Sequence, residues 1–582
     1  MGSRVGMDIE VGRVLRSGIA ALAVLLSGLQ VLSAQTINVL YTTDVHGSVL
    51  NYNFQRDTAA TYSLSKVYTY VESVRDTSEN VVLLDGGDFL QGTPMAYYYN
   101  FVDTTSMHAV ARAMNFMRYD AVTVGNHDIE AQHKVYDKVV KEIEAPVLGG
   151  NVTDTKTGRP YFTPYTIVKR AGKKIAVIGL TSPYIAHWLP KHYWEGMDFE
   201  DMIESARKWV GIVKEVENPD AIIGLFHAGY DYTYGGLTAD TYKNENASVL
   251  VAEKVEGFDA ILIGHDHKLK QKTVKSPSGK EVLILDAGAG ARFIGLLSMT
   301  FDKKGGLTMK TDIRAMKSVP ESETFNKRFA SQVLATKEYT RRSLGRLKKS
   351  VSSIESLAGS SAFVDVIHKV MLKASGADIT MTAPLQLGTV IPEGPINVGT
   401  LFGLYRFENT LCIFEMTGKE VKDYLEYSYD MWVTDPRETG TVLALQKKGK
   451  LKYNEYSLDS AAGIKYTVDV TKPKGQRVEI TGMTNGKKFD MKKKYRVALN
   501  SYRACGGGGH LELGVGIKYE DIQGRIVKTI DKDIRDLLIA EFEEMAKKDG
   551  KIELKPMDNW KFVPERLVKK YMTEDLKAFQ GR

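Results

Sequence analysis

At 582 residues, with 43% hydrophobic and 26% charged residues, the chain has the make-up of a globular protein with material for two large cores, which excludes a disordered chain and a multi-span membrane protein. The net charge of +7 is mild for that length and no dense basic stripe accompanies it, so a nucleic-acid polymer is not the expected partner. Two cysteines, Cys412 and Cys505, exclude a disulfide framework and leave open one bridge between them.

Arg13 and Arg16 precede the apolar run SGIAALAVLLSGLQVL, which is followed by LSAQ. Positive flank, short apolar core and small-residue exit read as a secretory signal over residues 1–34, cleaved near Ala34. The alternative, a membrane anchor, is opposed by the shortness of the run and by Gln30 inside it. The expected protein is exported, to the periplasm, cell surface or medium, with no stable membrane span in its mature form. Its oligomeric state is not readable from the sequence.

From residue 36 the chain repeats short runs rich in Val, Ile and Leu that each break into a polar cluster: INVLYTTDVHG, NVVLLDGGDFLQG, YDAVTVGNHD, KKIAVIGLTSP, DAIIGLFHAGYD and FDAILIGHDH. Helical periodicity separates them, as from Leu64 to Arg75 and from Phe199 to Val216. Buried strands alternating with helices predict an α/β domain over 36–320, with ligands beyond the carboxyl ends of its strands, where every polar cluster falls. Residues 321–350 hold apolar and basic residues at helical spacing and predict a connecting helix. A second α/β domain is expected over 351–565, with helix then strand in SAFVDVIHKVMLKASGADITMT, a helix in GKEVKDYLEYSYDMW, and strands in GIKYTVDVTKP and KYRVALNSYRA.

The strand ends of the first domain offer Asp44 and His46, Asp88, Asn126 with His127 and Asp128, His227, and His265 with His267. Carboxylate, imidazole and amide oxygen suit Mn, Fe, Co or Zn better than a thiolate-loving ion. Five converging loops accommodate two ions about 3.5–4 Å apart, bridged by one aspartate. Taken singly, Asp-x-His or GNHD reads as a turn. In GHDH the alternate histidines point the same way in extended chain, and the joint occurrence of all five motifs in one strand-loop order is not a matter of turns.

That order, DVHG, GDFLQG, GNHD, FHAGYD, GHDH, resembles the metallophosphoesterase superfamily, and within it the secreted 5'-nucleotidase and 2',3'-cyclic-nucleotide phosphodiesterase family. INVGTLFGLYRFENTLCIFEMTGKEVKDYLE and NSYRACGGGGHLEL resemble that family's C-terminal substrate domain, so the likeness covers nearly all of the mature chain. It implies an α/β fold: an N-terminal metallophosphoesterase α/β/β/α sandwich joined by a helix to a C-terminal α/β substrate-binding domain. It implies two divalent ions, one held by Asp44, His46, Asp88 and His267, the other by Asp88, Asn126, His227 and His265, with Asp88 as the bridge. His127 is similar to the family's catalytic histidine. Glu130 stands where many members carry an orienting aspartate, so either the longer carboxylate does that work or the pair is looser.

In the second domain, Phe407 and Tyr502 fall where the family places two aromatics around a nucleobase, a contact worth roughly 1–3 kcal/mol per stacked base. Without the family, core aromatics are the simpler reading. The glycines from Gly506 to Gly509 permit close backbone approach to a ligand or simply a flexible turn. Two departures separate the chain from the 5'-nucleotidases: TAPLQLGT, Thr382–Thr389, replaces an Asn-Gly-Gly-Gly-x-Arg stretch, and Gly508 replaces an aspartate. His267, where many 5'-nucleotidases carry Gln, is similar to the cyclic phosphodiesterase branch. Arg503 is the residue expected to restore part of the missing positive charge. The resemblance therefore favours a dinuclear-metal 2',3'-cyclic-nucleotide 2'-phosphodiesterase and 3'-nucleotidase acting on a small nucleotide. The alternatives are a 5'-nucleotidase or nucleotide-sugar hydrolase, and a nucleotide-binding surface protein whose metal site is structural.

Overall fold

The computed structural model describes residues 35–446 and 449–579, so the expected signal over 1–34 lies outside the described residues. The first sheet is built from β1 (Gln35–Thr42), β2 (Val81–Asp85), β3 (Ala121–Thr123) and β4 (Val147–Leu148), and the second from β5 (Tyr165–Arg170), β6 (Lys173–Thr181), β7 (Ala221–His227), β8 (Ala260–Ile263), β9 (Leu269–Lys275) and β10 (Glu281–Ala287). β11 (Phe293–Phe301) and β12 (Leu307–Ala315) return the chain to the first sheet. The strand orders are β12-β11-β1-β2-β3-β4 and β9-β10-β8-β7-β6-β5.

The sheets face each other. Ile37, Val39 and Tyr41 of β1 pack with Ile175 and Val177 of β6 and Ile223 and Leu225 of β7, whereas Leu40, one residue out of phase, packs with helical residues such as Val67 and Val71 on the outer side. The second sheet buries its other side against Ala206, Val210 and Val213 of a helix over Met202–Glu217. Helices on both outer faces make the α/β/β/α sandwich expected of the fold, and they explain why these strands are apolar throughout rather than alternating. Because β1, β2 and β3 run parallel, as do β6, β7, β8 and β10, their carboxyl ends share one edge. Thr123 Oγ1 donates to Leu225 O at 2.9 Å across that edge, drawing the loops of the two sheets together.

After β12 the chain departs from a single connecting helix. It forms helices over Glu323–Arg328 and Ala330–Thr340 that meet at Phe329, then a strand over Ser343–Leu347. Phe325 and Phe329 stack with centroids 4.4 Å apart and are buried in the outer core of the first sheet, so these helices are anchored rather than free.

The rest of the chain centres on a five-stranded sheet that includes Ile379–Thr382, Lys494–Asn500 and Thr410–Thr417 as neighbours. The helix read in GKEVKDYLEYSYDMW runs over Gly418–Trp432 and starts at a capping box: Thr417 N donates to Glu420 Oε2 at 2.7 Å and Glu420 N to Thr417 Oγ1 at 3.2 Å. Cys412 and Cys505 are both free and buried. Among the described residues, no helix is long and apolar enough to cross a membrane.

Candidate metal and active site

Every residue read from the five motifs of the first half lies at the common carboxyl edge. Two groups there bring their ligand atoms within 4.8 Å of one another: Asp44, His46 and His267, and Asp44, Asp88 and His227. His46 Nε2 lies 2.8 Å from His267 Nε2, and His267 Nε2 lies 3.3 Å from Asp44 Oδ1. His227 Nε2 is 3.1 Å from Asp88 Oδ2 and 3.2 Å from Asn126 Oδ1, and His265 Nδ1 is 2.9 Å from the same amide oxygen. Asp44 is common to both groups, whereas the resemblance makes Asp88 the bridge.

The backbone pays for this convergence. Asp44, His46, Asp88, His265 and His267 all have positive φ, between +47° and +80°. For residues that carry a Cβ this costs on the order of 1–3 kcal/mol each and persists where surrounding structure enforces it. Asp128 is one enforcer: its carboxylate accepts the backbone N–H groups of Asp88, Phe89, Leu90 and Gly125, all at 2.8–2.9 Å, and so clamps two site loops together. Gly125 is a second, because a Cβ there would stand 2.2 Å from Asp88 Oδ1.

The donor set fits divalent metal ions. Two carboxylates, an amide oxygen and imidazole nitrogens are hard to borderline ligands without a thiolate. Second partners aim the rings: His227 Nδ1 is 2.7 Å from Gly86 O, and His265 Nε2 is 3.3 Å from Glu245 Oε1. Trp188 stacks on His265 with centroids 5.2 Å apart. Burial pushes the Asp88 carboxyl up, but the His227 and His127 imidazoles hold it well below the usual carboxylate range. Burial pulls His227 down, and Asp88 lifts it to about 10.

His127 and Glu130 lie on one short helix, Asn126–Glu130, three residues apart. Glu130 Oε2 is 2.5 Å from His127 Nδ1, so the longer carboxylate reaches the ring and the pair is tight. Burial lowers the His127 pKa, but the carboxylates of Asp88 and Glu130 carry it up to about 9. With Nδ1 engaged, Nε2 is the atom left for chemistry on a partly exposed ring.

The second half is placed differently from the sequence reading at one position. Phe407 and Tyr502 are partly buried, and Phe407 meets Tyr456 edge-on at 6.3 Å. Arg503, by contrast, is 2% exposed and spent inside the protein: Nε and Nη2 donate to Asp459 at 3.0 and 3.2 Å, Nη1 to Gly507 O at 3.0 Å, and Nη2 also to Tyr456 O. A Cβ at residue 508 would stand 2.1 Å from its Nη1, so the guanidinium occupies the room a side chain there would need. Arg503 is a brace beneath the glycine loop and not a substrate contact. Arg503→Ala is expected to cost about 3–5 kcal/mol of stability, because Asp459, 1% exposed, is left as a buried unpaired charge. Denaturant unfolding measures it, and a loss below about 1 kcal/mol would refute the brace.

Motif reading missed Glu245, Trp188 and the clamping role of Asp128. Only Asp128 carried a signal, as the last residue of GNHD.

Residues 37–269 match the calcineurin-like phosphoesterase family and residues 343–513 the 5'-nucleotidase C-terminal domain family. The chain is 26% identical over 539 residues to the trifunctional nucleotide phosphoesterase protein YfkN of Bacillus subtilis, covering 82% of this chain and 36% of that one, so it spans about a third of that relative's length. It is 25% identical over 596 residues to the 2',3'-cyclic-nucleotide 2'-phosphodiesterase/3'-nucleotidase of Haemophilus influenzae, covering 91% and 87%. Among solved structures, a putative 5'-nucleotidase from Staphylococcus aureus superposes with a TM-score of 0.75 at 21% identity, covering 91% of this chain and all of that one, which supports the fold.

Proposed function

From a chain that belongs to the calcineurin-like phosphoesterases bearing a 5'-nucleotidase C-terminal domain, and so to the metal-dependent phosphoric ester hydrolases, we propose an exported enzyme that opens 2',3'-cyclic nucleotides and removes phosphate from the resulting 3'-nucleotides. The observation that carries the reaction class is the cluster of Asp44, His46, Asp88, Asn126, His227, His265 and His267 beside the His127–Glu130 pair. Relatives named for the cyclic phosphodiesterase activity, the absence of any charged side chain in TAPLQLGT, and His267 favour the cyclic and 3' substrates.

Asp44, His46, Asp88 and His267 would hold one divalent ion and Asp88, Asn126, His227 and His265 the other, drawn from Mn, Zn, Co or Fe. Bound there, such ions lower the pKa of water and neutralise phosphoryl oxygens. The chain supplies the rest. His127 Nε2 stabilises charge on the phosphoryl group or hands a proton to the departing sugar oxygen, and Glu130 holds the ring for that transfer through Nδ1. Phe407 and Tyr502 offer faces to the base. A binding protein with a structural metal site would need the ligands but not the oriented His127 beside them.

Phosphate release by metal-reconstituted protein from 2',3'-cyclic AMP, 3'-AMP and 5'-AMP, with excess monoesterase added to expose ring opening, is the test. Turnover of the cyclic and 3' substrates at least tenfold above 5'-AMP is expected, which corresponds to about 1.4 kcal/mol of discrimination. A preference for 5'-AMP would make the chain a 5'-nucleotidase, and no turnover of any phosphoester would leave the binding protein.

A further inference from the structure

One side chain of the C-terminal half reaches the His127–Glu130 pair. Asn409 Nδ2 donates to Glu130 Oε1 at 3.3 Å, while Oε2 of the same carboxylate takes His127 Nδ1 at 2.5 Å and Gln91 Nε2 at 2.9 Å. Asn409, Glu130 and Gln91 are each less than a tenth exposed. The Tyr405 hydroxyl donates to Asn409 Oδ1 at 3.2 Å, which leaves the NH2 end of the amide to face the carboxylate. Removing Asn409 leaves one oxygen of a buried carboxylate without this donor, and a carboxylate short of a partner turns to find one.

The segment carrying Asn409 is itself held from both sides. Arg535 donates to the carbonyls of Tyr405, Arg406 and Phe407 at 3.0–3.2 Å, and Ile534 N to the carbonyl of Asn409 at 2.9 Å. On the other side, Thr410 Oγ1 is 2.8 Å from the hydroxyl of Tyr193, a residue of the metal-bearing half. Phe407, offered above as a wall for the base, therefore sits two residues from the side chain that grips Glu130, on a segment fixed to both halves.

We propose that Asn409 is a positioning residue for the reaction: it fixes Glu130, and through Glu130 the His127 ring, so that the catalytic pair is complete only when the C-terminal half is seated on the metal-bearing half. The inference rests on the reading of His127 and Glu130 as the catalytic pair. It makes Asn409 matter to any phosphoester, with or without a nucleobase. A residue that touched only the base would matter to nucleotides alone.

The experiment compares Asn409→Asp, which keeps the shape, removes the donors and sets a like charge against Glu130, with Asn409→Ser, which removes the donors without adding charge. Each is made in the natural sequence and in Glu130→Ala, with melting temperature as the check on folding. kcat and KM are measured on methyl riboside 2',3'-cyclic phosphate, which has no base but the same sugar oxygen as leaving group, and on 2',3'-cyclic AMP. Asn409→Asp is expected to lower kcat about 10- to 100-fold on both substrates with KM within about twofold, the range seen for partners that orient a functional imidazole. Asn409→Ser should give a smaller loss of the same kind. In Glu130→Ala the same changes should cost about twofold or less, because residues acting as one unit are not additive. Loss confined to the nucleotide would make Asn409 a base contact, and equal loss in both backgrounds would make it independent of Glu130. Either result overturns the proposal. Full activity of Glu130→Ala alone would instead remove the catalytic role of the pair, and the proposal with it.

Discussion

Asp88→Asn is expected to bind at most one divalent ion per chain and to lose turnover by on the order of 10³-fold or more on every phosphoester. Asparagine keeps the shape, so the expected loss traces to charge. Asp88 is 1% exposed, and its carboxylate lies 3.1 Å from His227 Nε2 and accepts the His127 backbone N–H at 2.8 Å. The backbone around it is set independently of the side chain: Asp88 N donates to Asp128 at 2.9 Å, and Asp88 O accepts His46 N at 2.9 Å. An amide there preserves those bonds while removing the negative charge that two neighbouring cations would share. Metal content per chain, read by elemental analysis after dialysis, separates this from a folding defect. Two ions retained with turnover intact would mean that Asp44, the carboxylate common to both residue groups, does the bridging, and that the assignment of Asp88 by resemblance is wrong.

The sandwich and the gathering of ligands at one edge were legible in the sequence because each ligand sits within a few residues of the apolar strand that delivers it. The strand Ala221–His227 ends on the histidine itself, and Ala260–Ile263 ends two residues before His265. Local order suffices for such residues. Contacts that depend on where distant segments meet were not legible. Glu245 orients His265 across 20 residues from a loop without a motif, and Asn409 reaches Glu130 across 279. Arg503 was misread for the same reason: a cation next to an aromatic and a glycine run looks free, and only the structure places Asp459, 44 residues away, against its guanidinium. The connector differs for another reason, since helical spacing continues in the sequence past Thr340 while the chain turns there to pair Ser343–Leu347 with Gly394–Asn397. Strand pairing is decided by the partner, which no local pattern contains.

His127→Ala is expected to lower kcat by about 10²- to 10⁴-fold, the usual contribution of a positioned acid or base, while leaving bound metal unchanged. The side chain stands next to the ligand residue Asn126 on the same short helix, and no short contact ties its ring to Asp44, His46 or His267. Its ring instead meets His46 edge to face with centroids 5.5 Å apart, close enough to share the phosphoryl group and not to share a ligand position. Separating metal content from kcat is therefore the decisive readout: a ligand would lose both, and a proton donor or charge stabiliser loses only the second. The substrate adds a further discrimination. A p-nitrophenolate leaving group departs readily without a proton, whereas a ribose oxygen does not, so a histidine that protonates the departing oxygen should be missed far more on 2',3'-cyclic AMP than on bis(p-nitrophenyl) phosphate. Equal losses on the two substrates would assign His127 to stabilising charge on the phosphoryl oxygens, the same on both, and loss of a metal ion with the activity would make it a ligand after all.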